Sequence, residues 1–148
     1  MARTDRGLAL IDQYCRHNAF VDLLGFEFET HEDGVVRYSL KIQPNHLATP
    51  GFTHGGVLTT LLDATMGAGA LTLVADDGQV VSTIEMQVNF MQAVHLNDLI
   101  VCRSKAIRKG KKVIFMGAEI RNEQNQLIAV SNGSFYPFAA EKAGYTLN

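Results

Sequence analysis

One acidic residue differs sharply from the residues around it. Asp63 is the only charged residue between Gly55 and Ala75, a stretch otherwise made of apolar, small and hydroxyl side chains. The pattern predicts one helix that is buried on most sides, and no Lys or Arg lies three or four residues from the acid. Because a buried, unpaired carboxylate is energetically expensive, catalysis is a common reason for its presence. A structural interpretation, in which the side chain bonds to nearby backbone, stays open.

The residues just before this helix favour the catalytic interpretation. Thr53 is predicted to cap the helix, with His54, Gly55 and Gly56 in its first turn. Two glycines there cost about 1 kcal/mol each relative to alanine, so a ligand is expected to approach the backbone closely. Free N–H groups at a helix start stabilise a developing negative charge. Alternatively, the glycines only allow a neighbouring strand to pack closely.

The spacing of these two features predicts a dimer. Gly55 and Asp63 are eight residues apart, which is about 12 Å along a helix. One reacting carbon cannot contact both ends of that span. If both act on one substrate, the acid comes from a second copy of the helix running antiparallel, in a two-fold dimer with two sites at its interface.

Composition fits an ordinary globular domain. The 148 residues are 47% hydrophobic and 19% charged, with a formal net charge of −2, so no global charge attracts nucleic acid or an anionic membrane. The apolar helix is not expected to span a membrane, because it contains Asp63 and several threonines and glycines. Cys15 and Cys102 are isolated, which suits a reducing cytoplasm, and the five histidines show no metal-ligand spacing. We therefore expect a cytoplasmic protein without a metal.

The order of predicted elements indicates an α+β fold. A helical segment at about 5–24 precedes two strands, near 26–30 and 36–42, and a loop leads into the long helix. Four more strands follow, near 80–91, 99–107, 112–121 and 127–138, and a short tail begins at residue 139. Short connections predict an antiparallel sheet that curls around the helix, in a single domain with its core at about 25–138.

The segment from His46 to Leu58, with Asp63 nine residues after His54, resembles the signature of hotdog-fold acyl-CoA thioesterases, most closely the PaaI-like branch. The stretch from Thr83 to Phe90, then Asp98 and Gly110, extends the resemblance, which covers roughly residues 20–138. It implies an antiparallel sheet wrapped around one long central helix, and a homodimer or homotetramer with active sites between subunits. It also implies acyl-CoA as substrate, so that coenzyme A enters as part of the substrate and no separate cofactor is needed.

The resemblance also assigns roles to individual residues. Asp63 matches the catalytic nucleophile or general base, and Gly55 matches the backbone N–H that polarises the thioester carbonyl. His54 matches the histidine beside that site, and Thr83 matches a residue that positions water. The family often has an asparagine where this chain has Ala48, so a second donor to the carbonyl is missing unless another loop residue supplies it; loss of one such donor costs about 10²–10³ in rate.

Several further residues are candidates for substrate binding. Asn45, His46 and Gly56 lie in or next to the loop before the helix, where His46 is either a ligand contact or an ordinary polar loop residue. A dense basic turn is formed by Arg108, Lys109, Lys111 and Lys112. It is either a solvated hairpin tip or a site for the phosphates of coenzyme A.

Together, these observations predict a thioesterase that hydrolyses an acyl-CoA or related thioester. One alternative is a hotdog dehydratase or hydratase that uses His54 and Asp63 as an acid/base pair. The other is a non-catalytic acyl-CoA-binding module, indicated by Ala48. A panel of acyl-CoAs assayed with a thiol reagent distinguishes these possibilities.

Overall fold

The computed structural model describes residues 2–147, except the side chains of residues 30 and 31. Its α-helices are α1 (Asp5–His17), α2 (Ala19–Leu24) and α3 (Gly55–Val74). Thr4 caps α1 by accepting a hydrogen bond from the Gly7 N–H, and Gly25 ends α2 in the left-handed conformation. The helices lie where the sequence predicts them.

Six strands form one antiparallel sheet in the order β1-β2-β6-β7-β8-β5. Their bounds are β1 (Glu27–Glu32), β2 (Val35–Lys41), β5 (Gln79–Phe90), β6 (Leu99–Lys109), β7 (Ile114–Asn122) and β8 (Leu127–Ala139). The intervening β3 (Leu47–Thr49) and β4 (Phe52–Thr53) pair with each other in the loop before α3. These two were not predicted, because strands of two or three residues show no readable alternation.

The sheet curls around α3, as predicted. The helix buries 13 of its 20 residues and has buried side chains around most of its circumference. Its backbone approaches the sheet closely at Gly69, where an added Cβ would lie 2.5 Å from Ser104 Oγ and 2.9 Å from Met116 Cε. This enclosure explains the apolar composition: by length and composition Gly55–Asp77 resembles a membrane span, but 78% of that apolar window is buried in the fold.

The N-terminal helices pack against the central helix. Leu10 and Ile11 of α1 join a small buried cluster with Leu71 of α3, next to Val80 at the start of β5. This packing places the end of α1 and the first residues of α2, Phe20 and Val21, beside the part of α3 where Asp63 lies.

Strand β5 forms one edge of the six-stranded sheet within the protomer. It is 12 residues long, and its apolar side chains Ile84 and Phe90 are 55% and 53% exposed. A long edge strand with exposed apolar residues is a favourable place for another strand to pair.

Candidate active site

Asp63 lines a cavity of about 200 Å³ beside the middle of α3. The cavity has α3 on one side, β5 on another and the N-terminal helices on a third; its other lining residues are Tyr14, Asn18, Phe20, Val21, Thr60, Ala64, Gly67, Val81, Thr83 and Phe135. The acid is half-buried, because its side chain emerges from the helix into this cavity and not into the core. The expectation of a largely buried acid is corrected accordingly.

The Asp63 carboxylate also has a hydrogen-bond partner. Thr83 Oγ1 donates to Asp63 Oδ1 over 2.7 Å, from the edge strand β5. The prediction of an unpaired acid was therefore wrong, because the partner is twenty residues away and no helical spacing reveals it. The bond fixes one carboxylate oxygen and leaves Oδ2 without a hydrogen bond to any described residue.

The start of α3 differs from the prediction by one residue. The N-cap is His54 and not Thr53, and His54 Nδ1 accepts a hydrogen bond of 2.7 Å from the Gly56 N–H. Thr53 belongs to β4, and its Oγ1 is buried without a hydrogen-bond partner in the described part of the chain. Because Nδ1 of the neutral ring accepts, Nε2 carries the hydrogen and is free to donate.

A side chain would meet different surroundings at Gly55 and at Gly56. A Cβ on Gly56 would lie 2.8 Å from His54 Nδ1, so a side chain would disturb the cap. A Cβ on Gly55 would only contact the Phe90 ring, at 3.4 Å. As the first helical residue, Gly55 has no intrahelical acceptor for its N–H, and none is found elsewhere in residues 2–147. This N–H is the available donor at the helix start.

Gly55 and Asp63 face two separate cavities of the protomer. Gly55 lies at an open groove of about 320 Å³, lined also by Thr53, Leu58, Phe90, Met91, Gln92, Ala93 and Val94. None of these residues lines the Asp63 cavity. Within one protomer, the donor and the acid therefore do not share a site.

Tyr14 is a site residue that the sequence did not single out. Its pKa is raised to about 12, chiefly by burial and further by the nearby Tyr145 and Asp63, so the hydroxyl stays protonated at neutral pH. The sequence held no signal that the end of α1 closes the Asp63 cavity, since that depends on how α1 packs against α3.

His46 has a structural role, which corrects its assignment to substrate binding. It is only 2% exposed, its Nδ1 accepts from the Gln43 N–H at 2.9 Å, and its Nε2 lies 2.7 Å from the Leu24 carbonyl oxygen. Both ring nitrogens are used to hold the pre-helix loop against the end of α2. The neighbouring Asn45 and Ala48 are exposed.

The basic turn lies beyond the C-terminal end of α3 and does not reach Asp63 in the same protomer. Lys109 Nζ donates to the Leu73 carbonyl oxygen at 2.6 Å and lies 3.9 Å from Asp77 Oδ2. Leu73 is ten residues past Asp63, about 15 Å along the helix. Lys109 therefore binds the negative end of the α3 dipole, whereas the exposed Arg108, Lys111 and Lys112 have no such bond in the described residues.

The sequence profile of the Thioesterase superfamily matches residues 50–129, more than half of the chain and the part that carries α3, β5 and the acid. The chain belongs to the thioesterase superfamily. It is a thioester hydrolase, and the predicted family and enzyme class are confirmed.

Relatives found by sequence agree with this family. A "Putative esterase" of Archaeoglobus fulgidus is 24% identical over 126 residues, 84% of this chain and 79% of that protein. "Acyl-coenzyme A thioesterase THEM4" of Xenopus laevis is 30% identical over 79 residues, 53% of this chain but only 34% of that protein.

The fold is that of the E. coli PaaI protein, with a TM-score of 0.84 at 16% identity over 93% of this chain and 97% of that one. A thioesterase protein from Streptococcus pneumoniae, solved with coenzyme A, has a TM-score of 0.72 at 23% identity over 78% of this chain and 87% of that one. The predicted hotdog fold is confirmed.

Proposed function

We propose that this thioesterase hydrolyses acyl-CoA at two sites, each formed between two copies of the chain. The observation that carries the proposal is the separation of the acid and the free helix-start N–H into two cavities of one protomer. Each cavity holds half of what thioester hydrolysis requires, a base or nucleophile in one and a donor to the oxyanion in the other. The acyl-CoA substrate is further supported by the coenzyme A bound to the Streptococcus pneumoniae structure.

The edge strand β5 is the surface through which two copies of the chain would associate. Pairing of β5 with its copy around a two-fold axis would cover Ile84 and Phe90 and extend the sheet. The two α3 helices would then run antiparallel on the same face of the joined sheet. In this arrangement Asp63 faces Gly55 of the partner subunit.

In this site, the thioester carbonyl oxygen accepts a hydrogen bond from the Gly55 N–H at the positive end of α3. Thr83 holds one oxygen of Asp63, so the other oxygen is directed at the substrate. This oxygen either attacks the carbonyl carbon or takes a proton from the attacking water. When water attacks, the C–S bond breaks, the proton taken by Asp63 passes to the departing thiolate, and the acid is released. When Asp63 attacks, the C–S bond breaks to leave an acyl anhydride on Asp63, which water hydrolyses while supplying the proton for the thiolate.

The three cations of the basic turn other than Lys109, namely Arg108, Lys111 and Lys112, are proposed to bind the phosphates of coenzyme A. The turn that carries them is anchored by Lys109 at Leu73, about 15 Å from Asp63 along α3, so it is not expected to contact the reacting carbon in the same protomer. Their place fits the phosphates at the far end of coenzyme A.

The test is thiol release from a panel of acyl-CoAs by the wild-type protein and by Asp63→Asn. The variant is expected to lose at least about 10²-fold in kcat, as expected for a lost general base, with a normal melting temperature because the acid is half-buried and not part of the core. A folded Asp63→Asn protein with full thiol release would remove Asp63 from the mechanism. No thiol release from any acyl-CoA by the wild type would overturn the proposed substrate.

A further inference from the structure

The Asp63 cavity has one wall that comes from outside the part of the chain shared with the family. The acid and Thr83 lie within residues 50–129, which match the superfamily. The opposite wall is formed by Tyr14, Asn18 and Phe20, from α1, its C-cap and α2. The shared chemistry and this wall therefore belong to different parts of the sequence.

The inner end of the cavity is closed at Gly67. This glycine lies one helical turn after Asp63, about 6 Å along α3. A Cβ on Gly67 would lie 3.8 Å from Tyr14 Oη and 3.7 Å from Phe135 Cε1, which are ordinary contact distances. The space beside Gly67 is thus bounded by the tyrosine from one side and the phenylalanine from the other.

The size and lining of the cavity define what fits. Its volume is about 200 Å³, and about 150 Å³ is enough to hold a benzene molecule. The lining combines apolar side chains, among them Phe20, Val81 and Phe135, with polar ones, and the Tyr14 hydroxyl adds a polar point beside Gly67. A group no larger than one ring, or an aliphatic chain of similar volume, fills it.

We propose that this cavity holds the acyl group of the substrate, and that Tyr14 and Gly67 set the upper limit on its size. This inference rests on the proposed hydrolysis of acyl-CoA, because it names what the same site accepts. Tyr14 acts on specificity by contact with the end of the acyl group and takes no part in bond breaking. The acyl chain enters beside Asp63, with the thioester at the mouth of the cavity, and ends against Tyr14.

Gly67→Ala tests this upper limit on acyl-group size and is expected to leave the fold intact. The new methyl group enters the cavity at ordinary contact distances, and alanine is favoured over glycine in a helix. Tyr14→Ala is the opposite change, since it opens the inner end. Tyr136→Ala is the matched control, because Tyr136 is 51% exposed and does not line the cavity.

The measurement is kcat/KM for straight-chain acyl-CoAs from acetyl to palmitoyl and for benzoyl-CoA. In Gly67→Ala, the largest group accepted by the wild type is expected to lose about 10- to 200-fold, the effect of one misfitting methylene, while acetyl-CoA changes by less than about twofold. Tyr14→Ala is expected to move the optimum to longer chains, and Tyr136→Ala to leave the profile unchanged.

Two results would overturn the inference. If Gly67→Ala and Tyr14→Ala lower kcat/KM by the same factor for every acyl length, the cavity holds the common pantetheine arm. If neither changes the profile, the cavity is not occupied by substrate. Both results require that the wild type hydrolyses acyl-CoA, so they differ from a failure of the proposed function, in which no thiol is released from any substrate.

Discussion

At the scale of single residues, the site depends on how one carboxylate is oriented. Asp63 projects from a helix into a cavity, and Thr83 reaches it from a strand that is distant in sequence. A hydroxyl that donates to a charged group contributes about 1.5–3 kcal/mol when the pair is shielded from water. In the isolated protomer Thr83 is exposed, so this contribution would grow if a second copy covered β5 as proposed.

Thr83→Val is expected to lower kcat by about tenfold, the low end of that range, because the carboxylate loses the donor that orients it. Valine has the same shape, so KM for acyl-CoA stays close to the wild-type value. Steady-state kinetics with a thiol reagent measure both constants. Thr83→Ser keeps the hydroxyl and serves as the control; equal rates in the two variants would show that the hydroxyl has no role in catalysis.

At the scale of elements, the N-terminal end of α3 offers a free hydrogen-bond donor, whereas its C-terminal end is bound by a side chain. At the N-terminal end, the Gly55 N–H remains available to bind a ligand. The next amide, the Gly56 N–H, donates to His54 Nδ1 and is therefore not available. The C-terminal end is bound by Lys109 through the Leu73 carbonyl. Of the four cations in the basic turn, Lys109 is thus committed to the helix, which leaves three for an anionic ligand.

The double variant Lys111→Ala/Lys112→Ala tests the role of that turn in binding. If the turn contacts the phosphates of coenzyme A, KM rises by roughly three- to tenfold, as expected for two exposed charge pairs, and kcat is unchanged. The effect shrinks as salt is added, because exposed charges are screened.

An acyl-pantetheine, which lacks the nucleotide phosphates, provides the control substrate. Its KM is expected to be the same for the double variant and the wild type. An equal increase for both substrates would rule out a phosphate site. No increase for either would leave the turn as a solvated hairpin tip.

At the scale of the whole molecule, the proposed site is formed by two chains. The acid and the donor face separate cavities, and the exposed edge strand β5 offers the surface for joining two protomers. In the proposed dimer, a protomer with one lesion would still contribute an intact half to a site that its partner completes.

Mixing two inactive variants tests this directly. Asp63→Asn removes the acid, and Gly55→Pro removes the free N–H while retaining a residue that is accepted at the first helical position. Each heterodimer holds one site with both lesions and one with neither, so a random mixture is expected to recover about one quarter of the wild-type rate, given statistical pairing by two-fold symmetry. Subunit exchange is verified with a tagged copy; exchange without recovery would place the whole site within one chain.

The sequence predicted the elements of this fold well because its periodicity and turn residues agree along the chain. The apolar run of α3 and the alternation of the later strands lie where the structure has them. What it could not show are contacts between distant segments. The Asp63–Thr83 bond, the burial of His46 against Leu24 and the position of Tyr14 each depend on packing, and no local pattern encodes them.

The placement of acid and donor in separate cavities also has a consequence for mass action. If neither half is active alone, the rate per chain depends on the fraction of chains that are paired, and therefore on total protein concentration. Specific activity would stay constant well above the dissociation constant of the dimer and fall on dilution below it. An acid and a donor on one helix, too far apart for one substrate, would in that case link turnover to the abundance of the protein itself.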